Sequence, residues 1–174
     1  TVDFDQWPEY ARTVLVLLMF IGGCAGSTGG GLKVTRVVTL AKAAYGDMRK
    51  MLHPNAVIRV RMEGRALSEK QVRGVQAYFS VYMLLFAVSW LLLSLDGFDL
   101  ISTFTALASC INNIGPGLGL VGPTGNFFAF SPWAKLLLSF DMLAGRLEIF
   151  PMLLLFAPSL WKKNRIIRKG ERQA

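Results

Sequence analysis

Residues 98–119 read FDLISTFTALASCINNIGPGLG and carry the clearest sign of the architecture of this chain. The first part, residues 98–111, is apolar and rich in small residues, but it is shorter than the about 20 residues that a membrane-spanning helix needs. Residues 112–119 contain three glycines and a proline, which disfavour regular helix and regular strand. The pattern predicts a re-entrant helix followed by irregular backbone, which at membrane depth is tolerated only inside protein or around water.

Apolar blocks on both sides of this stretch are long enough to span a bilayer. Residues 78–95 carry no charge, and Ser68 is the expected N-cap of the helix that contains them. Residues 133–161 are also long enough, although this block contains Asp141, Arg146, Glu148 and Pro151. The sequence therefore predicts an all-α membrane protein with a helix–pore-loop–helix unit over residues 68–161.

A broken helix is expected before this unit. Residues 11–21 are apolar but too short to span, and helical propensity returns over residues 34–51. The run between them contains six glycines, each of which costs a helix about 1 kcal/mol relative to alanine. We expect one long helix within residues 1–52, broken in its middle by a flexible intramembrane loop at residues 22–33, the gating loop below.

Positive charge is segregated from the apolar blocks. The chain has 174 residues, is 53% hydrophobic and carries a formal net charge of +8. Lys and Arg crowd residues 49–73 and the tail at 162–174, and none lies between residues 96 and 132. The positive-inside rule places a short hairpin at 53–67 and the tail in the cytoplasm. Basic residues without interleaved aromatics argue against nucleic-acid binding.

Two other motifs yield no site. Cys24 and Cys110 lack the spacing of a metal site and lie among apolar or glycine residues, so we expect neither a disulfide nor a metal there. Gly26 and Gly31 have the separation found in a phosphate-binding loop, but Leu32 stands where its lysine should be, and no strand precedes them. We expect no organic cofactor and no enzymatic activity. A mobile constriction explains the glycine run better than close helix packing alone.

Irregular backbone and one charge predict an ion path. Residues 112–117, the filter strand below, present carbonyl oxygens that can replace the hydration shell of an ion, although an ordinary external loop is the alternative. Arg146 lies near mid-membrane, where a charge usually faces a cavity or a partner. Asp141 and Glu148 lie at poor spacings for helical pairing, so we favour Arg146 facing a water-filled pore over a buried ion pair.

Four stretches resemble the potassium-translocating subunit of bacterial Trk systems, in the Trk/Ktr/HKT superfamily. They are MFIGGCAGSTGGGLKVTR at 19–36, HPNAV at 53–57, INNIGPGLG at 111–119 and AGRLEIFPMLLLF at 144–156. The first stretch resembles the broken helix of the family's third repeat, and the second resembles the cytoplasmic connection after it. The third and fourth resemble the filter and the last helix of the fourth repeat. The resemblance implies four pseudo-repeats around one potassium pore, so this chain would begin within the third repeat and hold the whole fourth.

The resemblance also implies which residues bind potassium and which control its passage. Filter carbonyls of Asn113 and Ile114 would bind potassium, with Asn112 and Gly115 adjacent. The gating residues would be Gly22, Gly23, Gly26, Gly29, Gly30, Gly31, Lys33 and Arg146.

Function, partners and location follow from the same resemblance. It implies potassium uptake by a homodimer in the lipid bilayer of the bacterial inner membrane, with the C-terminus in the cytoplasm. The implied protein partner is a cytoplasmic nucleotide-binding regulatory subunit. Two alternatives are open: a channel-like subunit of an ATP-driven potassium pump, and a non-transporting membrane scaffold in which Arg146 and the glycine runs serve packing.

Overall fold

A computed structural model describes residues 2–24, 27, 30–53, 60–62 and 64–147. Most of these residues are helical, which agrees with the expected all-α class. The helices are α1 (Glu9–Met19), α2 (Val34–Leu52), α3 (Glu69–Leu93), α4 (Leu100–Ile111) and α5 (Pro132–Arg146). Short 3-10 turns occur at Phe4–Gln6, Ser94–Asp96 and Gly119–Val121. Strands β1 (Arg61–Met62) and β2 (Arg65–Ala66) pair antiparallel as a small hairpin.

Side-chain caps define where three helices begin. Ser68 caps α3 in a capping box with Gln71, as the sequence predicts. Asp99 caps α4 by accepting a 3.0 Å hydrogen bond from the backbone N–H of Ser102. That bond, followed by one from the Ser102 side chain, stabilises the ionised carboxylate and lowers the pKa of Asp99. Ser131 caps α5.

Helix α4 is the buried centre of the described fold. Ala106, Leu107 and Ile111 on this helix are fully buried, between α3 and α5. An aromatic cluster then joins α4 to α3, with the ring of Phe104 in edge contact with Phe86 and Trp90. A short apolar helix enclosed in this way suits the interior of a membrane protein, because its backbone and small polar side chains are shielded from lipid.

The broken helix is present as two helices whose ends are tied together. Helix α1 ends at Met19 and α2 begins at Val34. Between them, the N–H of Gly22 donates to the carbonyl of Leu32 at 2.7 Å, and the N–H of Val34 donates to the carbonyl of Gly23. These bonds close the base of the gating loop and hold the end of α1 beside the start of α2.

Helix α3, with the turn that follows it, is long and apolar enough to cross a membrane. Only 28% of its apolar window is buried within this chain, so it is not enclosed like the core helix of a soluble protein. Leu84, Leu91 and Leu95 are each more than 60% exposed. Such an apolar surface requires either lipid or further protein around it.

Several sequence expectations fall outside the described residues. They concern the second half of the last apolar block with Glu148, the basic tail at 162–174, part of the connection at 53–67, and Gly26 and Gly29 of the gating loop.

Candidate functional site

The chain reverses direction where α4 meets the filter strand. Asn112 is the C-cap of α4, and Asn113 has a positive φ of 55°. The N–H of Asn113 donates to the carbonyl of Cys110 at 3.0 Å, and the N–H of Ile114 donates to the carbonyl of Ser109 at 2.9 Å. This turn satisfies carbonyls at the end of α4, and it directs the following residues away from the helix axis.

Most carbonyl groups of the filter strand are left unpaired. Within the described residues, the backbone oxygens of Asn113 and Ile114 accept no hydrogen bond, and neither do those of residues 112, 116 and 117. The carbonyl of Gly115, in contrast, accepts a 3.0 Å hydrogen bond from the Ser109 hydroxyl. Unpaired carbonyls beside the C-terminal, negative end of a helix form an arrangement suited to a cation.

The side chain of Asn112 is buried, and both its amide oxygen and its amide nitrogen are hydrogen-bonded. Asn112 is only 4% exposed. Its Oδ1 accepts a 2.9 Å hydrogen bond from the hydroxyl of Tyr82 on α3, and its Nδ2 donates at 2.8 Å to the carbonyl of Ala108. The Asn113 amide likewise donates at 3.0 Å to the carbonyl of Met142 on α5. Two adjacent asparagines therefore anchor the start of the filter strand to both flanking helices.

The gating loop lies directly against these asparagines. A Cβ atom added at Gly30 would lie 2.6 Å from Nδ2 of Asn113, and one added at Gly31 would lie 2.0 Å from Oδ1 of Asn112. Gly31 also has a positive φ of 77°. Contact this close is possible only without a side chain at Gly30 and Gly31. The structure thus brings together residues that are separated by about 80 positions in the chain.

The other expected gating residues occupy different places. Gly22 and Gly23 form the hydrogen-bonded base of the loop. Lys33 is half-buried and is the N-cap residue of α2. Arg146 is exposed and is the last residue of α5. Among the described residues it forms no ion pair, and the Oδ1 atom of Asp141 instead accepts from the Ser89 hydroxyl at 2.9 Å.

Glycine 145 is a site residue that the sequence reasoning missed. It is buried, and a Cβ atom added there would lie 1.7 Å from the carbonyl oxygen of Ile111. This contact lets α5 approach the C-terminal end of α4, next to Arg146. The small pair Ala144–Gly145 was the available signal, because adjacent small residues on an apolar helix mark close helix packing. Tyr82 was also missed, and nothing in its apolar context distinguishes it.

The segment after the filter strand is held from two directions. The N–H of Leu118 donates to the Thr105 hydroxyl on α4 at 3.0 Å. The N–H of Gly119 donates to Oδ2 of Asp5 at 3.2 Å, a contact between residues 114 positions apart. Arg12 in turn contacts the carboxylate and carbonyl of Asp5. The N-terminal segment therefore packs beside the segment that follows the filter strand.

Comparison with known proteins yields one consistent set of relatives. Residues 1–163 match the model of the TrkH family, which is described as a cation transport protein. The Trk system potassium uptake protein TrkH of Escherichia coli K12 is 44% identical over 163 residues, which are 94% of this chain and 33% of that protein. The Trk system potassium uptake protein TrkG of the same strain is 35% identical over 93% of this chain and 33% of its own length.

A solved structure gives the same result. The crystal structure of the potassium transporter TrkH from Vibrio parahaemolyticus matches with a TM-score of 0.79 and 42% sequence identity. The match covers 91% of this chain and 33% of that one. The chain spans about a third of the length of the curated relatives it matches.

Proposed function

This chain belongs to the TrkH family of cation transport proteins, and we propose that it forms part of a potassium uptake system in the bacterial inner membrane. It supplies the fourth filter strand, residues 112–117, of a pore built from four pseudo-repeats. The remaining repeats come from the longer protein, since the chain alone spans only a third of its relatives. The scaffold and ATP-driven pump alternatives are less well supported, because the relatives are named as Trk potassium uptake proteins.

One observation carries this proposal: the unpaired carbonyls of Asn113 and Ile114 follow directly on the C-terminus of a buried, half-length helix. Potassium is the substrate, and the two oxygens replace part of its hydration shell. The C-terminal end of α4 carries a partial negative charge, which favours a cation at this place. The Ser109 bond to the Gly115 carbonyl stabilises the strand behind the ion.

The gating loop restricts the path below the filter strand. Contact of Gly30 and Gly31 with the two asparagines supports this position. The glycines allow the loop to change conformation, while the hydrogen bonds at its base keep its ends fixed. Arg146 follows the tightly packed Gly145, and its positive charge opposes cations that have left the filter.

Partners and orientation complete the proposal. The transporter is a homodimer in the lipid bilayer, and it binds a cytoplasmic nucleotide-binding regulatory subunit. The segregation of Lys and Arg supports a cytoplasmic C-terminus. The exposed apolar face of α3 supports contact with lipid or with the neighbouring repeats.

A matched pair of glycine substitutions tests the filter. Gly115 has a φ of 115° and Gly97 a φ of 76°, and neither has an atom within 4 Å of an added Cβ. Gly115→Ala and Gly97→Ala in the full-length protein therefore both act through backbone strain, of about 1–3 kcal/mol. We expect only Gly115→Ala to reduce the potassium-over-sodium preference of tracer uptake into proteoliposomes. An unchanged preference in Gly115→Ala, with the protein correctly inserted, would place the filter elsewhere.

A further inference from the structure

The hydroxyl of Tyr82 is the only side-chain donor, among the described residues, to the amide oxygen of Asn112. Tyr82 is fully buried in the middle of α3, where a polar atom needs a partner. Both polar atoms of the Asn112 amide form hydrogen bonds, since Oδ1 accepts from Tyr82 and Nδ2 donates to the carbonyl of Ala108. The amide orientation is therefore determined, and Tyr82 holds it from outside the pore-loop segment.

The position of Asn112 matters because of what it touches. It precedes Asn113, whose positive φ begins the turn into the filter strand. Its Oδ1, the atom that Tyr82 contacts, is also the atom against which Gly31 of the gating loop lies. A rotation of this amide would change both the start of the filter strand and the surface that receives the loop.

Tyr82 is also linked to the helix that follows the gating loop. Its ring stacks on that of Tyr78 at a centroid distance of 6.5 Å. The guanidinium of Arg36, on α2, lies 4.0 Å from the centre of the Tyr78 ring. The gating loop and Arg36 therefore approach Asn112 from two directions, one directly and one through two stacked tyrosines.

We propose that Tyr82 is a positioning residue for ion selectivity, which holds the Asn112 amide so that the filter strand and the gating loop fit against each other. The inference rests on the proposed function, because it assumes that residues 112–117 select the ion. Tyr82 does not touch the ion, and it acts through Asn112. Burial alone gives Tyr82 a structural role, so the test needs a readout that loss of packing would not change.

The test compares Tyr82→Phe with Ser89→Ala in the full-length transporter. Both remove one buried hydroxyl from α3, and Ser89 donates to Asp141 on α5 rather than to the filter. Potassium-over-sodium permeability and melting temperature are measured on the same preparations. We expect Tyr82→Phe to lower the permeability ratio by at most about tenfold, the limit set by one hydrogen bond. Ser89→Ala should lower the melting temperature and leave the ratio unchanged.

Asn112→Ala removes the same hydrogen bond from its other end, and it serves as the test if Tyr82→Phe does not fold. We expect Asn112→Ala to lower the ratio at least as much, and the double variant to lower it no further than Asn112→Ala. Additive losses, or a wild-type ratio in Tyr82→Phe, would overturn the inference. If Gly115→Ala changes selectivity while Tyr82→Phe does not, only this inference fails. If neither variant changes selectivity, the proposed filter fails as well.

Discussion

Arg146 and Asp141 lie in different environments although they share helix α5. It is exposed at the end of α5, while Asp141 on the same helix is fully buried and bonded to Ser89. Five positions along a helix place two side chains on different faces, so these two have no geometry for pairing. Among the described residues Arg146 therefore has no carboxylate partner, which supports the proposal that its permanent charge faces a water-filled path.

Removal of this charge should increase flux. A unit charge 4 Å from a cation in a water-filled path opposes it by about 1 kcal/mol, which is about fivefold in rate. We expect Arg146→Ala to raise tracer potassium flux by about this factor with little change in melting temperature. Lys135→Ala is the matched control, because it removes a positive charge from the other end of α5. Unchanged flux with a lowered melting temperature would instead indicate a structural ion pair.

At the level of elements, the close contact between α4 and α5 requires a glycine at position 145. Gly145 lies so close to the carbonyl of Ile111 that a methyl group has no space. The Asn113 amide bonds to Met142 one turn earlier on the same helix. Any outward shift of α5 would therefore be transmitted to the start of the filter strand.

Two glycine-to-alanine variants separate this packing effect from helix propensity. Gly145→Ala should destabilise the full-length protein by about 1–3 kcal/mol, as overpacking of a core does, and should impair transport. Gly74 lies on α3 with no atom within 4 Å of an added Cβ. Gly74→Ala should therefore stabilise the protein by up to about 1 kcal/mol and leave transport intact. Thermal melting of the purified protein measures both, and equal melting temperatures would contradict the packing argument.

At the level of the whole molecule, the N-terminal segment contacts the segment that follows the filter strand. Asp5 accepts from the N–H of Gly119 and contacts Arg12, which joins the N-terminal segment to the segment after the filter strand. The carboxylate of Asp96 similarly accepts from the N–H and hydroxyl of Ser131, so the end of α3 is tied to the start of α5. These side-chain contacts organise loops that have little regular structure of their own.

Asp5→Ala should loosen the contact between the N-terminal segment and Gly119. We expect faster hydrogen exchange at the amide of Gly119 and a loss of stability of about 1 kcal/mol, the usual net value of one hydrogen bond. Asp3→Ala is the control, since the hydrogen bonds of the Asp3 side chain to described residues go to Asp5 and Gln6, within the first turn. Equal rates of hydrogen exchange at the Gly119 amide in the two variants would show that Asp5 does not hold the segment after the filter strand.

Local features of this chain were predictable because they depend on neighbours in sequence. The charge-free run of α3, its Ser68 cap, the short α4 and the break between α1 and α2 follow from composition and spacing that act within a few residues. The resemblance of four motifs to the Trk family is likewise a property of linear sequence, and the family match bears it out. The glycine density of residues 22–33 indicated a loop without indicating what the loop touches.

Tertiary structure decided the contacts that define the site. Tyr82 bonds to Asn112 across 30 positions, Gly31 lies against the same amide, and Gly145 lies against the Ile111 carbonyl. None of these pairs is signalled by periodicity, because each depends on how separate segments of the chain pack together, and the first depends also on the rotamer of Tyr82. Sequence patterns specify which face of a helix is apolar. The atoms that meet across that face are specified only when the helices pack, because close packing leaves space for one arrangement.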